Sequence, residues 1–451
     1  MKHLFLVRHA KSSWTDDTLR DQDRPLNHRG ESQLPSLARA LNSLGAFGGR
    51  VYASSATRAR ATLEGILPPG FPADRVDILS ELYTFDHRRL LRWLQNRDES
   101  EDTVLLIGHN PALIDLAGHL LGADPHALPT ASIAHITLPD RPWQKLKAGK
   151  GTLEALLTPK DFSYEQFNRK RRKDDSPEPD IVAALDQQLR RIRDLERGVR
   201  VGVDDEFLHQ YRVAIRRSRA IAESVEEVTR DRSLSRAIKA LKHHARATSG
   251  LRDLHVFRQQ LTEICQDNGE LAAALATWTE AAIDRSHSDL VHHLDSRHYR
   301  NSLDEWSNRI HARAFRKLTR GMTSKDIRNA VARRIKEFNR RDAELLHSSP
   351  DEPIHRQRKR IKRIRYLMEL DRPRWQEALG ILKKQQEMYG RFQDLHVQIE
   401  LLDAFRDSAP DVRPGAIQGL KTELEQQKAD VKRRILALGG LDGAPLRHAL
   451  L

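Results

Sequence analysis

Arginine and histidine recur just past apolar runs in the first part of the chain. Arg8 and His9 follow HLFLV (3–7), and His109 follows TVLLIG (103–108). Arg58 lies beyond RVYAS (50–54), in the first turn of a predicted helix. A guanidinium presents a planar fork of donors suited to paired anionic oxygens. An imidazole changes charge near neutral pH and can act as acid or base. A single histidine at the end of a strand is more often structural. Three strand ends that deliver two imidazoles and two guanidiniums to one place instead make a reactive, anion-handling site. That convergence requires the three runs to be parallel neighbours.

The surrounding sequence supplies such neighbours. The runs 3–7, 50–54, VDILSEL (76–82), 103–108 and SIAHITL (132–138) read as strands, and Glu31–Leu44 and Pro111–Leu121 carry helical spacing. Strands alternating with helices predict a mostly parallel sheet covered on both faces. Its sites belong at the carboxyl ends of the strands. RKRRKDDSPEPD (169–180) then joins a basic run, an acidic pair and two prolines, the composition of a linker. From Ile181 the strand signals vanish and helical periodicity continues to the end. We therefore divide the chain into 1–162, a charged linker at 163–180, and a helical part at 181–451, the last with halves of about 181–322 and 323–451.

Composition agrees. With 39% hydrophobic and 31% charged residues, and a mean hydropathy of −0.65, long helices with solvated faces fit better than a β-rich globule. The net charge is +14, of which residues 1–170 carry +2 and the remainder +12, so the basic surface is helical and points to an anionic partner. One cysteine, Cys265, excludes an internal disulfide and a multi-thiolate metal site. No apolar run approaches the roughly 18 residues of a membrane span. The apolar run Leu4 to Val7 is too short for a signal-peptide core. The expectation is a soluble, cytoplasmic protein with no membrane partner.

The first segment resembles the histidine phosphatase superfamily, and in particular its compact SixA-type phosphohistidine phosphatases. RHAKS stands where the family has Arg-His-Gly, with Ala10 in place of the glycine. DRPLNHRG (23–30), SSATRARAT, GHNP and KGTLEALLTP (150–159) resemble the segments that follow in order. The resemblance implies an α/β three-layer sandwich and a catalytic set of His9, Arg8, Arg58 and His109. It implies that His9 attacks phosphorus in line and carries the phosphoryl group, while the arginines and His109 hold its oxygens. Glu81, in SELYT, is the candidate acid for the leaving group. Its alternative is an ordinary solvated glutamate. No metal or other cofactor is expected. Only 50 residues separate Arg58 from the far side of the site at His109, with Glu81 among them and no large inserted lid. This favours an open pocket for a phosphorylated protein or polymer over one closed on a small phosphoester.

A second constellation lies in the helical part. His209 is followed by Arg212, Arg216, Arg217 and Arg219, and His355 by Arg358, Lys362, Arg363 and Arg365 at the same offsets. Downstream, Leu254-His255-Val256 after Asp253 recurs as Leu395-His396-Val397 after Asp394. Two ordered matches indicate a duplicated helical unit. Offsets of 0, +3, +7 and +10 share one face of a helix, so each half presents a basic stripe that repels the other unless the two are kept apart or bridged by an anion. Most such stripes are simply solvated.

These helices resemble the conserved histidine α-helical domain, CHAD. That resemblance implies two pseudo-symmetric four-helix bundles and binding of inorganic polyphosphate through both stripes. A linear polyanion rewards a continuous basic groove through counterion release. Nucleic acid is the rival, weakened because the 6% aromatic residues do not interleave with the stripes. Metal binding by the 21 histidines is a third option, weakened because His243-His244 and His292-His293 are adjacent pairs that cannot both face one ion on a regular helix.

The combined expectation is a two-domain phosphatase acting through phosphohistidine, fused to a polyphosphate-binding module and associated with polyphosphate granules. The alternatives are a polyphosphate-binding scaffold with little turnover, or a phosphatase that consumes polyphosphate or small phosphoesters.

Overall fold

The computed structural model describes residues 1–169, 180–265, 268–408 and 414–450. Most of the predicted linker, residues 170–179, lies outside them. The chain forms two compact units, one of Met1–Ser176 with Arg197–Phe207 and one of Pro177–Glu196 with Leu208–Leu451. Among the described residues no helix is long and apolar enough to cross a membrane.

The first unit is built on six strands: β1 (Lys2–Arg8), β2 (Arg50–Ser54), β3 (Val76–Leu79), β4 (Thr103–Gly108), β5 (Ile133–Leu138) and β6 (Thr152–Leu157). They lie in the order β3-β2-β4-β1-β5-β6. The first four strands are parallel, and β5 and β6 turn antiparallel along one edge. The predicted run 76–82 stops being a strand at Leu79 and tightens into a 3-10 turn over Ser80–Leu82.

Side chains on a strand alternate between faces, and β1 shows what this buys. Leu4 and Leu6 enter one core, beneath α3 (His87–Gln95) and α4 (Ala112–Leu121). Phe5 and Val7 enter the other, beneath α1 (His28–Ser43) and α2 (Thr57–Ile66). Val104 and Leu106 of β4 share the first core, and Leu105 and Ile107 the second. This is the predicted three-layer α/β sandwich. A short helix, α5 (Pro159–Phe162), closes the first domain, and α6 (Tyr164–Asn168) occupies the start of what the sequence presents as linker. Val201 and Val203 pack onto the second core, and Arg197 pairs with Asp161 at 2.8 Å.

The second unit is all helical. Its elements are α7 (Ile181–Val201), shared with the first unit, then α8 (Asp205–Thr229), α9 (Ser235–Ala247), α10 (Ser249–Ile264), α11 (Gly269–Asp295), α12 (Arg297–His311) and α13 (Arg313–Arg320). The second half continues with α14 (Ser324–Asp342), α15 (Asp351–Glu369), α16 (Arg372–Ser408), α17 (Pro414–Leu438) and α18 (Ala444–Leu450). The element order repeats. A stripe-bearing helix (α8, α15) precedes one with the Asp-Leu-His-Val segment (α10, α16) and then a further long helix (α11, α17). The helical unit thus repeats one order of elements across its two halves. Trp375, Phe338, Ile361 and Phe392 centre the second, and a further core joins Phe257 and Leu275 of the first half to Leu395 and Phe405 of the second.

Candidate active site and basic cluster

Parallel pairing aligns the ends of β1, β2 and β4, with Arg8 opposite Gly108. The His9 amide donates to the Gly108 carbonyl at 3.2 Å, which anchors the chain as it leaves the sheet. Arg8, His9, Arg58 and His109 therefore meet at one edge, as their spacing requires. His9, Arg58 and His109 are all buried.

Three hydrogen bonds fix the state of His9. Its Nδ1–H donates to the Ala10 carbonyl at 2.7 Å, which leaves Nε2 as a bare lone pair facing the Arg58 Nε–H at 3.2 Å. The Ala10 amide in turn donates to the Thr62 hydroxyl at 3.0 Å. Burial lowers the His9 pKa to about 4, with the Arg58 and Arg8 charges adding to it against the opposing pull of Ala10 and Asp21. The same desolvation, reinforced by His9 and Arg58, lowers His109 to about 3. His109 Nδ1 accepts from Arg58 Nη2 at 3.3 Å, so its Nε2–H donates to the Ser54 hydroxyl at 2.7 Å. Arg8 donates to the Leu128 carbonyl at 3.1 Å while its Nε has no partner in the buried edge. The edge thus holds two neutral rings among guanidiniums.

A pH prediction follows. The ordinary histidine value is 6.5, so between there and about 4 the unfolded chain binds a proton that folded His9 refuses. Stability therefore rises with pH through this window and falls as the solution is acidified. The loss is roughly 3 kcal/mol for His9 alone, and His109 acts in the same direction. The acid limb of kcat/KM should lie near pH 4 instead of 6.5, as a pH–rate profile and thermal melts will show.

The segment 23–30 earns its place mechanically. Asn27 caps α1 by accepting from the Gly30 amide, while its own amide donates to the Lys11 carbonyl at 3.0 Å. A Cβ on Gly30 would lie 2.2 Å from that carbonyl oxygen, so only glycine lets α1 approach the His9 loop so closely.

Two further residues enter the site. Asp21 Oδ2 accepts from Arg58 Nη2 at 2.8 Å and from the Tyr83 hydroxyl at 2.9 Å, and its backbone carbonyl accepts from Arg58 Nη1. Although burial opposes it, the bonds from Arg58 and Tyr83 hold the Asp21 carboxyl below its usual range. Asp21 stands two residues before the recognisable DRPLNHRG, and Tyr83 two after Glu81. Glu81 itself is exposed, and no hydrogen bond or ion pair among the described residues joins it to the site.

In the helical unit, the stripes draw together around two acids. Arg212 donates to the Thr248 and Ser249 hydroxyls at 2.8 and 3.2 Å, and its pKa falls to about 10, chiefly by burial. Arg358 is lowered by burial and by Arg216, which brings the two halves' stripes into one field. Burial, then Arg358, Arg216 and Arg365, lower Lys362 to about 7. Asp253 and Asp394, from the repeated Asp-Leu-His-Val segments, sit within this field. Desolvation raises both above the usual carboxylate value against the pull of Arg212 on one and Arg358 on the other. Arg219 and Arg365 each pair with a glutamate one turn on, at 3.3 and 3.2 Å. Arg217 and Arg363 are exposed, and His209 is half-buried. His355 is buried and faces Phe392 and His396.

Comparison with known proteins accounts for both constellations. The profile of the histidine phosphatase superfamily (branch 1) matches residues 4–88, and that of the CHAD domain matches 183–403. An uncharacterized chloroplastic protein of Arabidopsis thaliana is 32% identical over 173 residues, which span 35% of this chain and 78% of that protein. A solved structure of a putative phosphohistidine phosphatase SixA from Agrobacterium tumefaciens is 23% identical, with a TM-score of 0.31, over 35% of this chain and 98% of its own. The CHAD domain of the plant Ricinus communis is 21% identical, with a TM-score of 0.47, over 57% of this chain and 90% of its own. With Arg8, His9, Arg58 and His109 at the strand ends and the duplicated stripes beyond, the chain belongs to the histidine phosphatase superfamily through its N-terminal phosphatase domain and carries a CHAD domain in its helical part.

Proposed function

We propose that the N-terminal domain is a metal-independent phosphohydrolase working through phosphohistidine at His9, and that the CHAD domain binds inorganic polyphosphate. The observation that carries the first reading is the state of His9: a neutral ring, proton committed to Ala10, lone pair turned among cations. In the reaction Nε2 attacks phosphorus in line. The new P–N bond forms as the bond to the leaving group breaks and that group takes the electron pair. Arg8 and Arg58 draw on the charge spread over the transferring oxygens. The Arg58 Nε–H, resting on Nε2, turns to a phosphoryl oxygen as the lone pair is used. Water then attacks the same phosphorus, phosphate leaves, and His9 returns as the neutral ring with its Nδ1 proton still toward Ala10.

The substrate class we propose is a phosphorylated histidine of a protein. Asp21, the carboxyl that touches the site, is held ionised and is a poor acid, so an alkoxide leaving group would receive little help. Exposed Phe85, beside His109, and exposed Trp14, stacked under Arg24, offer aromatic contacts to a large partner.

The test is to quench the enzyme during turnover. A phosphoenzyme stable to alkali and labile to acid is expected, and an acid-stable, alkali-labile adduct would overturn the mechanism. Arg58→Ala should lower kcat by about 10²–10³-fold, roughly 2.7–4 kcal/mol, as loss of one charge-stabilising donor does. EDTA should leave turnover unchanged in the same assay.

A further inference from the structure

The histidine that heads the second stripe looks away from the row it introduces. His355 on α15 is 9% exposed, and neither of its ring nitrogens has a hydrogen-bond partner among the described residues. Its ring centroid lies 4.7 Å from that of His396 on α16. Asp351, one turn earlier on α15, brings Oδ2 to 3.6 Å from His396 Nδ1. Ligand atoms of Asp351, His355 and His396 all lie within 4.8 Å of one another.

His396 has a second acidic neighbour. Its Nε2 lies 3.3 Å from Glu400 Oε1, one turn on along α16. The Nε2 edge of the ring thus faces Glu400 and the Nδ1 edge faces Asp351. A carboxylate behind a histidine is the arrangement that sets the tautomer and orientation of a metal-ligating ring. His355 brings to the same place two ring nitrogens that have no hydrogen-bond partner among the described residues. Three ligand atoms therefore converge, and one of their residues, Asp351, also accepts from the Lys428 ammonium through Oδ2 at 2.9 Å.

We propose that Asp351, His355 and His396 form a binding site for a divalent first-row transition ion, with Zn²⁺ as the reference ion. Two imidazoles and one carboxylate suit a borderline-soft ion and not Mg²⁺ or Ca²⁺, which prefer oxygen alone. Three protein ligands leave one tetrahedral position for water. Glu400 positions His396 without touching the ion. Lys428 opposes the ion through its like charge and shares the Asp351 carboxylate, so it sets the affinity.

The full-length protein, stripped with EDTA and dialysed, is titrated with Zn²⁺ against a chromophoric chelator, and separately with Co²⁺ to read its visible absorption. Wild type should bind one ion that the Asp351→Asn/His396→Gln variant does not, with the tetrahedral Co²⁺ bands lost in parallel. Glu400→Gln should weaken binding about 10–100-fold, the effect of removing a carboxylate behind a ligating histidine. Lys428→Met should tighten it. Unchanged stoichiometry in the double variant would overturn the site, as would weaker binding in Lys428→Met. Should the double variant not fold, the direction of the Lys428→Met change and the Co²⁺ spectrum of wild type decide alone. Phosphate release is recorded in parallel and should be unaffected, so the outcome is independent of the phosphatase reading.

Discussion

His9→Ala loses turnover by about 10⁶-fold, the size of effect seen when a catalytic nucleophile is removed. The reason is specific to this edge of the sheet. Arg8 and Arg58 are permanently charged and cannot attack, and His109 spends Nε2–H on Ser54 and Nδ1 on Arg58. With His9 gone, bound phosphate would still meet its cationic donors, so KM should change far less than kcat. Steady-state kinetics on a phosphorylated protein and on an aryl phosphate will separate the two parameters. A His9→Ala enzyme that keeps appreciable kcat with an unchanged melting temperature would place the nucleophile elsewhere.

The second large effect belongs to the basic cluster. Replacing Arg216, Arg358 and Lys362 together by glutamine removes three cations from the field that spans both halves. The slope of log affinity for long-chain polyphosphate against log salt should drop by roughly 0.7–0.9 per lost contact, about 2–3 in all, if polyphosphate releases counterions as nucleic acid does. The exposed residues Arg297, Arg300 and Lys325 supply an equal-charge control from outside the stripes. Their replacement should move the slope much less. Because Lys362 titrates at about 7, binding should also tighten as pH falls through neutrality, when the ammonium forms and meets the polyanion. Equal losses in the control and the cluster variants would reduce the CHAD domain to a diffuse polycation.

Much of this was legible in the residues. The alternation of Leu4, Phe5, Leu6 and Val7 marks a strand buried on both faces, and such strands pair parallel beneath helices. The convergence of Arg8 and His109 on His9 follows from strand ends, and Arg58 joins them from the first turn of α2. The paired recurrence of Asp253 with Leu254-His255-Val256, and of Asp394 with Leu395-His396-Val397, announced the duplication. Other features are tertiary and leave weaker marks. β6 is an edge strand whose Thr152, Leu153 and Glu154 are exposed, so its hydrophobic signal is thin. Asp21 reaches Arg58 by the course of a loop, and no periodicity predicts a loop. The acids Asp253 and Asp394 read as part of a hydrophobic motif until folding places them in the field of Arg212 and Arg358. Likewise His355 shares a helical face with Arg358 in projection, yet the packing of α15 on α16 turns it toward His396.

The composition of the first unit from two stretches of chain has a consequence for biosynthesis. Arg197–Phe207 reach the ribosomal exit well after Ser176, and they carry Val201 and Val203 of the second core together with the Arg197 partner of Asp161. At about 5–20 residues per second, the nascent domain waits roughly 2–6 seconds for them. Through that interval the sheet and its catalytic edge have emerged while part of their hydrophobic cover has not. The phosphatase domain is thus completed only after translation has entered the helical region. A stop codon placed at the end of the last strand would release a domain with an apolar face still open, a substrate for chaperones.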